Sequence, residues 1–293
     1  MTSMRPIALI VIVAGAALCE ARQTTSRPSD ARPRITGINH VAFRVSDPAA
    51  ARRFYSETLG LSAQPPAGDA RLVYDIGRRQ RVVLEPGLPA GEDERLSHLA
   101  FETVDVNALA AFLTSRQVPV QPANQCHPQG IRVGDPDGHV IEFVPARWPP
   151  EGTRAGAERA LSTRLLHAGL TIRDEMAAHR FYRDTLGFSE IWRGGRKEGV
   201  TQWVNMRVPD GTDYLEYMLV GSAPDRRQRG VLHHLCLLVP DVQAAWEEVV
   251  RRTPEPSHAS LSPPNVGVNG RWQLNLFDPD GTRTELMEPF RIR

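Results

Sequence analysis

Ile38-Asn39-His40-Val41-Ala42-Phe43, followed by Phe54-Tyr55-Ser56-Glu57-Thr58-Leu59-Gly60-Leu61, is the stretch on which the fold turns. It returns as Leu165-Leu166-His167-Ala168-Gly169-Leu170 and Phe181-Tyr182-Arg183-Asp184-Thr185-Leu186-Gly187-Phe188. From His40 to His167 is a step of 127 residues, and each copy keeps its internal spacing. A period of that size with matched internal spacing marks a duplicated domain. In each copy a histidine sits on an alternating strand, with His40, Ala42 and Arg44 on one face and Val41, Phe43 and Val45 on the other.

Working outward, Asp47-Pro48 starts a helix, Asp as N-cap and Pro at the first helical position. That helix is expected to run to about Leu59 and stop at Gly60. Strands are expected near Leu72–Ile76 and Arg81–Glu85. The unit then repeats within the half: Leu96–Phe101 carries His98 on a second alternating strand, a helix covers about Val106–Arg116, and strands follow near Val118–Gln121, Gly130–Val133 and His139–Val144. Asp135-Pro136-Asp137-Gly138 is a tight turn into the last of these. The second half follows the same plan. Asp174 caps a helix ending at Gly187, and strands lie near Thr201–Val208 and Asp213–Val220. His234 opens the fourth unit, with a helix at Val242–Arg252 and strands near Arg271–Leu276 and Arg283–Met287. The predicted fold is α+β, with four β-α-β-β-β units in two pairs. Each pair curves into a sheet whose free face forms a cup.

Composition sets the frame. The chain has 293 residues, long enough for two domains with cores of their own, and 41% hydrophobic with 24% charged residues is ordinary for a soluble protein. A net charge of +1 with no basic stripe argues against a nucleic-acid partner. Arg5 followed by the apolar run from Ile7 to Leu18 is too short to span a bilayer and reads as a signal peptide over 1–21, which implies a secreted or periplasmic protein. Residues 22–34 read as a disordered spacer, 35–147 as the first domain, 148–161 as a linker and 162–293 as the second domain. Cys126 and Cys236 show no CxxC spacing, and two buried thiols are expected rather than a bridge.

The chemistry sits on the first and last strands of the units. In the first half the order is His40, Glu85, His98, Glu142; in the second it is His167, Glu216, His234, Glu285. Strand parity places all eight opposite the apolar faces. A carboxylate in mid-strand is costly to bury unless it is paired or bound to a metal. Two imidazoles and two carboxylates suit a first-row divalent ion such as Zn, Ni, Co, Fe or Mn. An ion held so would keep positions open for a substrate's paired oxygens and could stabilise an enediolate, while one Glu acts as base.

The chain resembles the vicinal oxygen chelate superfamily, which includes glyoxalase I, methylmalonyl-CoA epimerase, fosfomycin and bleomycin resistance proteins, and extradiol dioxygenases. The resemblance rests on the strand His40, the helix end from Phe54 to Leu61, the ending from Asp135 to Phe143, and their second-half counterparts. It implies two paired vicinal-oxygen-chelate domains, and the order His-Glu-His-Glu is most similar to glyoxalase I. By that likeness Glu142 and Glu285 are the expected general bases, and lyase or isomerase chemistry is expected. His167, His234 and Glu285 also match the triad of extradiol dioxygenases. There, however, Glu216 stands where those enzymes place a catalytic His, and Asn275 where they place a Tyr. A binding or resistance protein without turnover is the reading from another class. Family members build their site within one half or across two, and both remain open here. A small-molecule substrate is expected in the cup, with Arg44, Tyr74, Trp203, Asn205, Tyr214, Trp272 and Asn275 as candidate contacts. The protein is expected to be a monomer or homodimer, with no membrane contact after signal removal. His127, His139, His233 and His258 fall off the register and are expected to be structural.

Overall fold

The computed structural model of the protein describes residues 31–65, 70–77, 79–123, 129–146, 158–221, 224–254 and 261–292. The expected signal segment, most of the spacer and linker, Cys126, His127 and His258 lie outside the described residues.

Alternating apolar strands and short turns build two eight-stranded mixed sheets, one from each half. The first holds β1 (Ile35–Val45), β2 (Ser62–Ala63), β3 (Leu72–Ile76), β4 (Gln80–Pro86), β5 (Leu96–Thr103), β6 (Gln121–Pro122), β7 (Ile131–Gly134) and β8 (Val140–Pro145). The second holds β9 (Leu165–Ile172), β10 (Ser189–Gly194), β11 (Trp203–Arg207), β12 (Tyr214–Leu219), β13 (His234–Leu238), β14 (Asn265–Val266), β15 (Arg271–Phe277) and β16 (Arg283–Arg291). The spatial orders are β2-β3-β4-β1-β5-β8-β7-β6 and β10-β11-β12-β9-β13-β16-β15-β14. The first strands of the two units pair antiparallel, β1 with β5 and β9 with β13. Both units of a pair therefore come from the same half, and each cup is built within one half.

The helices form where the caps demand. Asp47 accepts from the backbone N–H of Ala49 and Ala50 to start α1 (Pro48–Arg52), and Asp174 accepts from Ala177 to start α3 (Glu175–Ala178). The periodicity predicts regular helices to the following glycine, but both widen into π turns, at Arg53–Thr58 and His179–Thr185. α2 (Val106–Ser115) and α5 (Val242–Arg252) carry apolar stripes toward the sheets. Sequence reading missed α4 (Arg226–Leu232), which has a capping box between Asp225 and Gln228 but no apolar period. It also missed β10, whose residues are half-buried or exposed.

The helical faces of both halves join in one core. Phe101 meets Phe188 edge to face at 5.4 Å. Tyr74, a candidate cup residue, stacks on Tyr55 at 5.5 Å within this core, and Trp272 packs against it too. Full burial of each such side chain is worth about 1.5–3 kcal/mol, so the shared core dominates the cohesion of the halves. Polar contacts set the register of the joint. The Tyr55 hydroxyl donates to Asp278 at 3.2 Å and the Tyr182 hydroxyl to Asp135 at 2.9 Å, so each half's tyrosine reaches the other half's Asp-Pro-Asp-Gly turn. Among the described residues, no helix is long and apolar enough to cross a membrane.

Candidate metal centre

Strand register brings the second-half residues together. Across β12, β9, β13 and β16 one row reads Tyr214, His167, Cys236, Glu285, and the next reads Glu216, Gly169, His234, Arg283. The rows are two residues apart, so His167, Glu216, His234 and Glu285 project from one face and converge. The two Nε2 atoms lie 3.1 Å apart. Glu285 is 3.3 Å from His167 Nε2, and Glu216 is 3.4 Å from His234 Nε2. The cross distances, His167 to Glu216 and His234 to Glu285, are 3.9 and 3.8 Å. All four are buried.

Local geometry prepares these groups. His234 Nδ1 lies 2.7 Å from the Leu232 carbonyl, which can only accept, so Nδ1 carries the proton and Nε2 turns its lone pair inward. The ring crosses β9 at Gly169, where a Cβ would collide with ring atoms Cε1 and Nδ1. Burial, then the Arg283 charge and His167, hold His234 well below its ordinary pKa, hence neutral. Burial works to raise Glu285, but the hydrogen bond and charge of His167, with Arg283, hold it below its ordinary value. Neutral imidazole and ionised carboxylate are the ligating forms. The donor set thus fits a divalent ion.

The first half repeats this with one difference. His40 Nε2 and His98 Nε2 lie 2.9 Å apart, and Glu142 is 3.8 Å from His98 Nε2. These three form the group that could hold an ion. His40 Nδ1 donates to Asn39 Oδ1 at 2.8 Å, and Asn39 in turn donates to Glu102 at 3.1 Å, which fixes the ring. Glu85, expected as the fourth ligand, lies outside the group. In β4 the residue paired with Ala42 is Val83, whereas in β12 the residue paired with Gly169 is Glu216. Glu85 stands two residues farther along, beside Arg44. It accepts from the Ser97 hydroxyl at 2.6 Å and approaches His98 from the Nδ1 side, at 3.8 Å. Its carboxylate therefore orients His98 through Ser97.

A cavity of about 280 Å³ opens over the second group. Glu216 and Glu285 form part of its wall, with Trp192, Trp203, Arg196, Asn275 and Arg283 around them. Of the candidate contacts, Trp203 and Asn275 line it. Asn205 is buried opposite Glu216 with Oδ1 unpartnered. Tyr214 stacks on His167 at 4.6 Å and is closed off from the cavity. Arg44 belongs to the first half, at the far end of β1. Sequence reading missed Arg196, Trp192 and Arg283; parity would have found Arg283, two residues before Glu285 on the same face.

His139 and His233, read as structural, meet between the halves with Nε2 atoms 3.1 Å apart. Asp135 lies 2.8 Å from His139 Nδ1, and Glu94 lies 2.8 Å from His233 Nδ1. Only two ring nitrogens converge there, with the Thr171 hydroxyl, so the pair is a joint between halves. Cys236 is a free, buried thiol.

A family profile described as the Glyoxalase/Bleomycin resistance protein/Dioxygenase superfamily matches residues 37–143 and 164–286. The chain belongs to that superfamily. The uncharacterized protein YwbC of Bacillus subtilis (strain 168) is 24% identical over 130 residues, 44% of this chain and 99% of that protein. Among solved structures, the 2,3-dioxygenase LapB from Pseudomonas sp. KL28 is similar with a TM-score of 0.64 at 19% identity, covering 88% of this chain and 93% of that one. An extradiol ring-cleaving dioxygenase from B. fuscum is similar with a TM-score of 0.67 at 20% identity, covering 89% and 73%. At such identities the likeness concerns the fold.

Proposed function

We propose that the second half is the working centre of an exported, metal-dependent enzyme of glyoxalase type, which acts on a small substrate through vicinal oxygens. The observation that carries this is the convergence of His167, Glu216, His234 and Glu285 at the wall of a cavity. A divalent ion there would supply Lewis acidity toward paired substrate oxygens. Glu285 is the base of this reading: it is buried, ionised and on the cavity wall, so it can take a proton from a carbon beside a carbonyl. Asn275, opposite Glu285 on β15, has a buried Oδ1 without a partner and is placed to orient a substrate hydroxyl.

A second reading, extradiol ring cleavage, is favoured by the dioxygenases among the similar structures and by the triad His167, His234 and Glu285. Against it, Glu216 adds a carboxylate to the donor set where an imidazole acid–base group is needed. The test is solvent exchange at the C–H of a small α-hydroxy ketone such as hydroxyacetone, followed by NMR in D₂O with metal-loaded protein, beside oxygen uptake with catechol. Exchange that Glu285→Gln abolishes supports the proposal. Oxygen uptake without exchange overturns it in favour of the dioxygenase. Ligand binding with neither reaction leaves a binding protein.

A further inference from the structure

Arg283 is a cation beside the donor group, and among the described residues no carboxylate lies within ion-pair distance of it. Its Nη2 lies 2.7 Å from Nδ1 and 3.1 Å from Nε2 of His234, whose one acceptor lone pair, on Nε2, is the one a metal ion would use. The Nδ1 hydrogen is turned to the Leu232 carbonyl and the Nε2 lone pair to the donor group. Arg283 Nε is buried and has no hydrogen-bond partner. The other guanidinium on the cavity, Arg196, lies over the Trp203 ring at 5.9 Å from its centroid and makes no ion pair among the described residues. The carboxylates of the wall, Glu216 and Glu285, belong to the donor set. A divalent ion would balance those two, which leaves the half-buried Arg283 without a counter-charge of its own; Arg196, on the same wall, is exposed to solvent.

A cation held close to a metal weakens that metal's binding and costs desolvation as well. An anion entering the cup would offset both costs. A guanidinium presents paired N–H donors that match a carboxylate in two-point contact. Trp192 and Trp203 offer flat apolar faces for the body between the chelating oxygens and the charged end. The corresponding position two residues before Glu142 in the first half is Val140, and there the arginine nearest Glu142 in the sheet is Arg132, its partner on β7.

Resting on the vicinal-oxygen reading above, we infer that the substrate of the second-half cup is an anion, a planar small molecule carrying a carboxylate that Arg283 binds next to the chelating oxygens. Arg283 is then the residue that sets specificity for charge.

The experiment uses zinc-loaded full-length protein and three probes in calorimetric titration. Catechol presents an enediol-like oxygen pair without charge, benzoate presents the carboxylate alone, and 3,4-dihydroxybenzoate presents both. The expected result is at least tenfold tighter binding of 3,4-dihydroxybenzoate than of catechol. Arg283→Gln should remove that preference, read as the ratio of 3,4-dihydroxybenzoate to catechol affinity on protein that still holds zinc; Arg283→Lys should keep part of it. Equal affinities in the wild type, or a preference that survives Arg283→Gln, overturn the inference. If catechol does not bind but benzoate binds in an Arg283-dependent way, the anion site stands and the chelating reading falls. If none of the three binds to zinc-loaded protein, both fall. Should Arg283→Gln lose zinc, Arg283→Lys and the salt dependence of the wild-type preference decide.

Discussion

Val83 occupies in the first sheet the place that Glu216 occupies in the second: each pairs with the β1 or β9 residue that follows the histidine by two. The first group is therefore a triad and the second a tetrad. Loss of an orienting partner alone typically costs 10–100-fold in metal affinity, and a missing direct ligand costs at least that. Metal titration of the stripped protein should show a tight and a weak site, with the tight one in the second half. Glu216→Ala should bring the two sites together, and Val83→Glu should tighten the first by about tenfold or more. Two equal sites that do not respond to either change would contradict the assignment.

The same asymmetry separates the two candidate bases. Glu285 faces the cavity beneath Asn275, while Glu142 belongs to the incomplete group. In whichever proton-transfer assay the protein supports, Glu285→Gln should lower turnover by about 10²–10⁴-fold, the usual range for removal of a general base. Glu142→Gln should leave it within about twofold. A comparable loss in both variants would mean that both halves work.

Much of this was legible in the sequence, and the failures have particular causes. The duplication, the strand histidines and the Asp-Pro-Asp-Gly turns gave the units, because strand alternation and cap chemistry are local. Glu85 was misread because Val83 and Glu85 lie on the same face, so parity cannot tell them apart; only the pairing of β4 with β1 does. Leu84-Glu85 and Leu215-Glu216 look alike, but they sit two residues out of step against the histidine strand. Tyr74 was misplaced for a related reason: an aromatic on a strand may face either side, and its stacking on Tyr55 puts it on the helix side. Whether each cup forms within a half depended on strand order, which no local pattern encodes.

Gly169 is a position where the backbone itself serves the site. The His234 ring lies where a Cβ would be, whereas the matching residue in β1 is Ala42, paired with His98. Gly169→Ala should push the ring out of line, at a cost of about 1–3 kcal/mol for overpacking a filled site. Metal content should fall from about two equivalents to about one per chain, with the first site intact. Unchanged stoichiometry and Tm would show that the ring has room to move.

The two turn aspartates at the joint should respond to pH in opposite senses. Burial raises Asp278 to a pKa of about 6, though backbone N–H groups and Tyr55 favour its ionised form. Burial also works to raise Asp135, but there the hydrogen bond and charge of His139, with further bonds from its backbone and from Tyr182, hold it below the ordinary range. A group raised on folding contributes stability below its unfolded pKa and loses it as pH climbs through the folded one. The stability due to Asp278 is therefore present near pH 4 and gone above about pH 6. Asp135 contributes in the other direction, its share present at neutral pH and lost as pH falls below the ordinary carboxylate range. Asp278→Asn should then stabilise the protein at pH 7–8 by roughly 1–3 kcal/mol, with the gain vanishing near pH 4. Asp135→Asn should destabilise it at pH 7, because it removes the charge that faces His139. Urea unfolding of both variants across pH 4–8 reads this directly. Parallel rather than opposed pH profiles would mean that His139 does not distinguish the two turns.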